Sequence, residues 1–395
     1  MDFETTKPQN MIVDAVAQFV RDVSTVERYR QMRDTERGWD PQIWKQMADF
    51  GWLAIAFPES VGGIDGDFID MALILEQLGR GLVPEPYIPS VVLAGSLLAR
   101  LGSPDQIEAL LQPMMDGDTS LALAYAERQS RYQLADCRTS AKQTGDGWTL
   151  SGEKAWVLNG HAADQILVVA RTNGGQLDSA GLSLFVVPTD AAGLSRTPVK
   201  TMDGQRAAFL TFDGVQVGAE SLLGEEGAAF GPLEWAIDRG AAAACAEGQG
   251  HLQELFERTV EYLKQREQFG SKIGSFQALQ HRAAEMLAET ELCKGMMLLA
   301  ALKVDSEDAE ERRTEVSAAK AHLTSSGWFV QENAIQLHGG IGVTDEQDIG
   351  LYFKRLRVLQ GLFGDADFHV GRFQAQSRFD ADEVAQQPVP GAARA

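Results

Sequence analysis

Three features of this chain have residue types and spacing suited to chemistry. Glu247 stands alone within Gly240-Ala241-Ala242-Ala243-Ala244-Cys245-Ala246-Glu247-Gly248. Small side chains let another body approach a helix closely, so this acid does not belong to a solvated charged face. It is either a functional carboxylate or a buried partner of Arg239, Arg282 or another arginine. Arg266-Glu267-Gln268-Phe269-Gly270 opens a polar, glycine-broken segment that runs to Gln280 between two long helical patterns. Arg266 offers a guanidinium fork, while Gly270 and the later Gly339-Gly340 offer backbone that a ligand can approach, a combination suited to a pyrophosphate. Singly these are ordinary features, a solvated arginine and a helix stop.

The elements that must position them change period twice. Residues 10–115 read as helices, with Ile12, Val16, Phe19 and Val20 on one stripe and breaks at Gly62-Gly63 and from Pro84 to Pro89. From about Leu121 the runs Trp148-Thr149-Leu150, Ile166-Leu167-Val168-Val169-Ala170, Leu182-Ser183-Leu184-Phe185-Val186-Val187 and Phe209-Leu210-Thr211-Phe212 are short and β-rich. After Gly227 helices return over 252–263, 281–303, 313–338 and 348–360. The expected fold is α+β: a helical domain (1–119), an antiparallel β-barrel domain (120–228), a helical bundle domain (229–384) and a loose tail (385–395).

Composition excludes several classes. With 35 basic against 56 acidic residues, the net charge of −21 repels nucleic acid and anionic membranes. Anionic ligands must therefore rely on local arginines and backbone N–H groups. Cys137, Cys245 and Cys293 lie far apart without CxxC or histidine pairing, which predicts neither a disulfide framework nor a metal site and fits a reducing compartment. Met1-Asp2-Phe3-Glu4 does not begin a signal peptide, and no apolar run is long enough to span a bilayer. A cytoplasmic protein is expected.

Four motifs, in order, resemble the acyl-CoA dehydrogenase family. They are 44–63 (WKQMADFGWLAIAFPESVGG), Gly152-Glu153-Lys154-Ala155-Trp156-Val157-Leu158-Asn159-Gly160, the R-x-x-F-G and F-Q of 266–280, and Gln336-Leu337-His338-Gly339-Gly340-Ile341-Gly342. The resemblance implies a helical domain, a β-barrel and a four-helix bundle binding FAD. Arg266, Phe269, Gln277, Gln336, Gly339 and Gly340 would hold the nucleotide end of a neighbouring subunit's FAD, and Trp156 and Leu158 would flank the flavin ring. The implied reaction is α,β-dehydrogenation of an acyl-CoA thioester. A carboxylate takes the α-proton in a dry pocket and the flavin accepts the β-hydride.

The chain departs from the family at the base and beside the ring. Gly364 stands where many members carry glutamate. Asp238, before Arg239, occupies an alternative position of the base, and Asp365 and Glu247 are further candidates; Arg239 would orient the base or close the pocket. Ala126 and Leu158 replace two threonines that serve the ring. The Gly364-Asp365-Ala366-Asp367-Phe368-His369 ending and the Ala-x-Glu-Gly helix resemble a bacterial subgroup acting on bulky steroid or side-chain CoA esters. The small residues at 240–244 suggest a roomy pocket. Two assemblies are implied, a homotetramer passing electrons to an electron-transfer flavoprotein, or an α2β2 heterotetramer in which this chain is a catalytically silent subunit completing a partner's flavin site. An oxidase on the same fold is a third reading.

Overall fold

The computed structural model describes residues 5–376; the expected tail, the end of the third domain and the first four residues lie outside the described residues. The first layer comprises α1 (Lys7–Val23), α2 (Val26–Asp34), α3 (Pro41–Asp49) and α4 (Phe68–Arg80). A π-helical segment (Tyr87–Gly95) then leads into α5 (Ser96–Leu101), α6 (Pro104–Gln106) and α7 (Gln112–Met115). Thr6 caps α1 and Asp67 caps α4, each in a reciprocal box with the residue three further on, Gln9 and Asp70. Pro89 does not break the chain as its sequence suggests. It falls in the first turn of the π-helical segment, where no internal acceptor requires its missing N–H.

The middle layer is an eight-stranded sheet. Its strands are β1 (Leu121–Ala124), β2 (Ser140–Thr144), β3 (Gly147–Leu158), β4 (Gln165–Arg171), β5 (Leu182–Pro188), β6 (Leu194–Lys200), β7 (Arg206–Gly218) and β8 (Leu222–Leu223). The order is β6-β7-β3-β2-β4-β5-β8, with β1 pairing on β4. The antiparallel expectation needs amending at β4: β1 runs parallel to it, and β2 meets it in parallel at Ser140 and Arg171, while the other strand pairings are antiparallel. β4 and β5 are continuously apolar because both faces are buried. Ile166, Val168, Phe185 and Val187 fill one core, whereas Leu167, Val169, Leu182 and Leu184 join the core shared with the helices.

The third layer contains α8 (Phe230–Gln265), a hairpin of β9 (Glu267–Gln268) and β10 (Ser271–Lys272), α9 (Gln277–Lys303), α10 (Ala309–His338), α11 (Ile349–Gly361) and α12 (Ala366–Gln374). The four longer helices form the bundle. No helix among the described residues is long and apolar enough to cross a membrane, and no acid, histidine and cysteine cluster there could hold a metal.

The small residues of α8 mark close packing, and Gly240 backs two side chains, Leu93 and Phe363, that line a cleft between the layers. A Cβ on Gly240 would come within 2.9 Å of Leu93 and 3.1 Å of Phe363. One on Gly248 would meet Leu323 at 2.9 Å, one on Gly250 would lie 2.0 Å from the Glu76 carbonyl oxygen, and one on Gly79 would lie 2.3 Å from that of Glu247. α4 and α8 therefore cross backbone against backbone, and Gly240 faces the π-helical segment. Because backbone cannot yield as a flexible side chain would, Gly250→Ala is expected to cost about 1–3 kcal/mol. A lower denaturation midpoint at unchanged denaturant slope would show this; an unchanged midpoint would refute the crossing.

Candidate active site

A cleft of about 490 Å³ lies where the three layers meet, bordered by Pro89 and Leu93, by residues 123–132, by β3 and β7, and by the end of α11. The register of β3 against β7 slips between Lys154 and Val157. Trp156 sits in that slip with φ +54° and is 57% exposed, so its indole stands in the cleft wall rather than in the core. A bulky residue at positive φ is strained, and such strain persists where the surroundings impose it. Just beyond, Asn159 at φ +57° donates to Ser120 Oγ (3.2 Å) and the Leu121 carbonyl (3.3 Å), and accepts from Trp39 Nε1 (3.1 Å). Those bonds fix the turn, and with it Leu158 on the wall.

Local charge reverses the acidity of the whole chain. Arg128, Arg131, Lys200, Arg206 and Arg355 line the cleft against one carboxylate, Glu127. Glu127 is fully engaged, by Lys154 at 2.8 Å and by the backbone N–H groups of Arg138 and Thr139, both at 2.9 Å. Arg128 lies over the Phe209 ring at 4.5 Å, whereas the Arg131 side chain is 80% exposed. Exposed cations over a half-apolar cleft suit a large anionic ligand with a non-polar body.

Glu247 reaches a small adjoining cavity of about 60 Å³, which shares Pro89, Leu158, Gln205, Arg206, Arg355 and Leu362 with the cleft. Its Oε1 accepts from Arg355 Nε (2.6 Å) and from His251 Nε2 (3.3 Å), and its Oε2 from the second Arg355 nitrogen (3.0 Å). Arg355 also donates to Asp203 at 3.0 Å. The partner of Glu247 is thus Arg355, not Arg239 or Arg282. Burial pushes the Glu247 carboxyl up, but the guanidinium and the histidine bond outweigh it and hold it at about 2. Burial also pushes His251 below its usual range, which keeps it neutral. Two carboxylates then share one guanidinium, and the cluster carries one surplus negative charge.

The other acids are engaged elsewhere. Asp238 accepts from Arg312 (2.9 Å) and twice from Arg372 (2.6 and 3.1 Å), beside a third cavity of about 230 Å³. Arg239 pairs with Asp305 at 2.6 Å between Phe68 and Trp235, and borders none of these cavities. Asp365 caps α12 through the Phe368 N–H at 3.0 Å. Gly364 has φ +123°, and a Cβ there would lie 2.4 Å from His369 Nε2. No side chain fits at the position where a glutamate was sought.

The remaining predicted residues form a second group. Phe269 and Gly270, at φ +56° and +80°, make the two-residue turn of the β9–β10 hairpin, which leaves Phe269 92% exposed at its tip. Arg266, Gln277, Gln336, Gly339 and Gly340 are exposed as well. Tyr262 donates to the His338 carbonyl (3.3 Å) and stacks on its ring, which ties the end of α10 to the end of α8 bearing Arg266. Gln336 lines a cavity of about 550 Å³ that shares no lining residue with the cleft. The chain does not bring Trp156 and Leu158 together with this group. Sequence reasoning missed Arg355 and Asp203, and no local pattern connects either to Glu247.

Glu127 and Glu247 both lie below their ordinary value of 4.5, Glu127 because Lys154 and its hydrogen bonds outweigh burial. Their contribution to stability is complete above that pH and is lost as pH falls toward about 2. The stability of Glu247→Gln and Glu127→Gln should consequently fall less steeply than that of the parent between those limits. Thermal midpoints measured across that window check this, and parallel curves would contradict it.

Family models place the chain. Those described as the acyl-CoA dehydrogenase N-terminal, middle and C-terminal domains match residues 6–118, 122–215 and 230–376. A probable acyl-CoA dehydrogenase, YngJ of Bacillus subtilis, is 30% identical over 91% of this chain and 95% of its own. The Tcur3481-Tcur3483 steroid ACAD structure shares 30% identity over 96% and 99% of the two chains, with a TM-score of 0.83. The ChsE4-ChsE5 complex from Mycobacterium tuberculosis shares 29% over 98% and 100%, with a TM-score of 0.85. The exposed indole and the ring of cations fit FAD, the cofactor of these enzymes. Three consecutive domain matches over the three layers that enclose the cleft make this chain a member of the acyl-CoA dehydrogenase family of FAD-dependent oxidoreductases.

Proposed function

We propose that the chain catalyses α,β-dehydrogenation of an acyl-CoA thioester with Glu247 as the base. The surplus negative charge of the buried Glu247–Arg355–Asp203 cluster carries this reading. When Glu247 takes a proton it removes that surplus, and Arg355 keeps Asp203 as its counter-ion. Neither protonation state then leaves an unpaired guanidinium. Oε2 has one hydrogen-bond partner against two for Oε1, so it is the oxygen with capacity to accept the α-proton. Bound FAD supplies the acceptor for the β-hydride. Trp156 and Leu158 would flank its ring, while Arg266, Phe269, Gln277, Gln336, Gly339 and Gly340 would hold the nucleotide end from a second copy or a related chain. Leu93, Leu362 and Phe363 exclude water, and the exposed cations offset the phosphates of CoA.

A bulky acyl group is supported by the 230 Å³ cavity, which adjoins the cleft and shares Tyr125, Tyr132 and Phe363 with it as lining. The steroid enzyme among the similar structures points the same way. An electron-transfer flavoprotein would reoxidise the enzyme.

One observation favours a second reading. Every carboxylate bordering the cleft and its adjoining cavity is ion-paired, Glu85 with Arg28, Glu127 with Lys154 and Glu247 with Arg355. Gly364 has no room for a side chain. That pattern suits a silent subunit of an α2β2 assembly.

The two readings separate on Glu247→Gln. Loss of α-proton exchange into deuterated solvent by about 10²–10⁴-fold, with FAD content kept, is expected of the base. Retained exchange would remove Glu247 from the role. A purified parent chain that carries no FAD until its partner is added would favour the silent subunit.

A further inference from the structure

The turn joining α11 to α12 separates three cavities. Leu362 lines both the cleft and the small cavity next to Glu247, and Phe363 lines both the cleft and the 230 Å³ cavity. Its backbone is unusual, with Phe363 at φ +61° and Gly364 at φ +123°. Four carbonyls, two at the end of α11 and two in the turn, are gripped by side chains. Lys320 Nζ donates to Gln360 O (3.0 Å) and Gly364 O (2.8 Å). His369 Nε2 donates to Phe363 O (3.1 Å), and Tyr132 Oη donates to Gly361 O (3.0 Å). His369 Nδ1 is left to accept from Ser317 Oγ at 3.2 Å, which sets the tautomer.

Lys320 is fully buried and His369 is 1% exposed. The hydrogen bonds of the ammonium go to the two carbonyls, without a carboxylate among them. Burying such a charge on neutral acceptors is costly, and an apolar side chain would pack α10 as well or better. An apolar residue would not, however, hold these two carbonyls.

We infer that Lys320 and His369 are positioning residues which hold the turn at residues 360–364 from beneath, fixing Leu362 and Phe363 as the partition that selects the acyl group. This rests on the reading of the cleft as an acyl-CoA site. The grip itself is a property of the chain alone. Without Lys320 the carbonyls of Gln360 and Gly364 lose their donor, the turn relaxes toward the cleft, and the partition moves. Without His369 the Phe363 carbonyl is freed in the same way.

Lys320→Met and His369→Leu remove the donors at similar volume, and His369→Gln keeps one. Hydrogen–deuterium exchange on the full chain, in the assembly it purifies in, reads the grip directly. Amides of 361–366 should exchange at least tenfold faster in the first two variants, with α9 unchanged and His369→Gln close to the parent. Turnover of a short straight-chain and a steroid acyl-CoA reads the consequence. The ratio of their kcat/KM values should shift by roughly tenfold or more, the scale on which a pocket wall discriminates. Unaltered exchange at 361–366, or a lower melting temperature with an unaltered ratio, would overturn the inference. If no acyl-CoA is turned over by the parent, the proposed reaction fails, and the exchange arm still decides the grip.

Discussion

Arg355 sits where the three layers touch, and its guanidinium is shared among groups from more than one of them. Glu247 comes from α8, and Asp203 from the turn between β6 and β7. The Asp203 carbonyl in turn accepts the Tyr29 hydroxyl of α2 at 2.8 Å. One side chain of α11 thereby registers the bundle against the sheet and, through the sheet, against the first helices. Removing one partner of a buried pair costs more than the pair contributes, because the remaining charge stays in a low-dielectric interior. The cleft is a space between layers, so its width depends on this registration.

The order of layers was legible because the apolar period changes from helical to alternating and back. β4 and β5 announced themselves by continuous apolar runs. β6 (Leu194–Lys200) did not: it is an edge strand, exposed along most of its length, and nothing in its sequence needs to alternate. Glu247 was conspicuous among small residues, yet Arg355 lies 108 positions away and reads locally as one more basic residue of an amphipathic helix. The run 240–244 shows the limit of inference from residue size. Small side chains signal close approach, and sequence alone did not say what would approach; at Gly240 it is Leu93 of the π-helical segment and Phe363. Gly364 was noticed as a missing glutamate, whereas its space is already taken by His369 and Phe368.

The cleft and the hairpin pose complementary problems to a chain of net charge −21. Arg128, Arg131 and Lys200 create a local field opposite in sign to the surroundings. An anionic ligand meets repulsion over most of the surface and attraction at this opening. That contrast orients approach as well as strengthening binding. The exposed indole beneath those cations supplies the non-polar contact that charge alone cannot.

The outward face of the bundle couples to the same charge in a colloidal sense. Phe269 and Phe276 of the hairpin region, Leu287 and Leu292 of α9, and Val343 beyond α10 are exposed apolar side chains of this layer. The excess of acid keeps copies apart at long range, with a reach set by the ionic atmosphere, about 10 Å at 0.1 M salt. Contact through this face is therefore gated by screening. Added salt would lower the barrier between copies and would weaken the attraction of the cleft's cations for an anion.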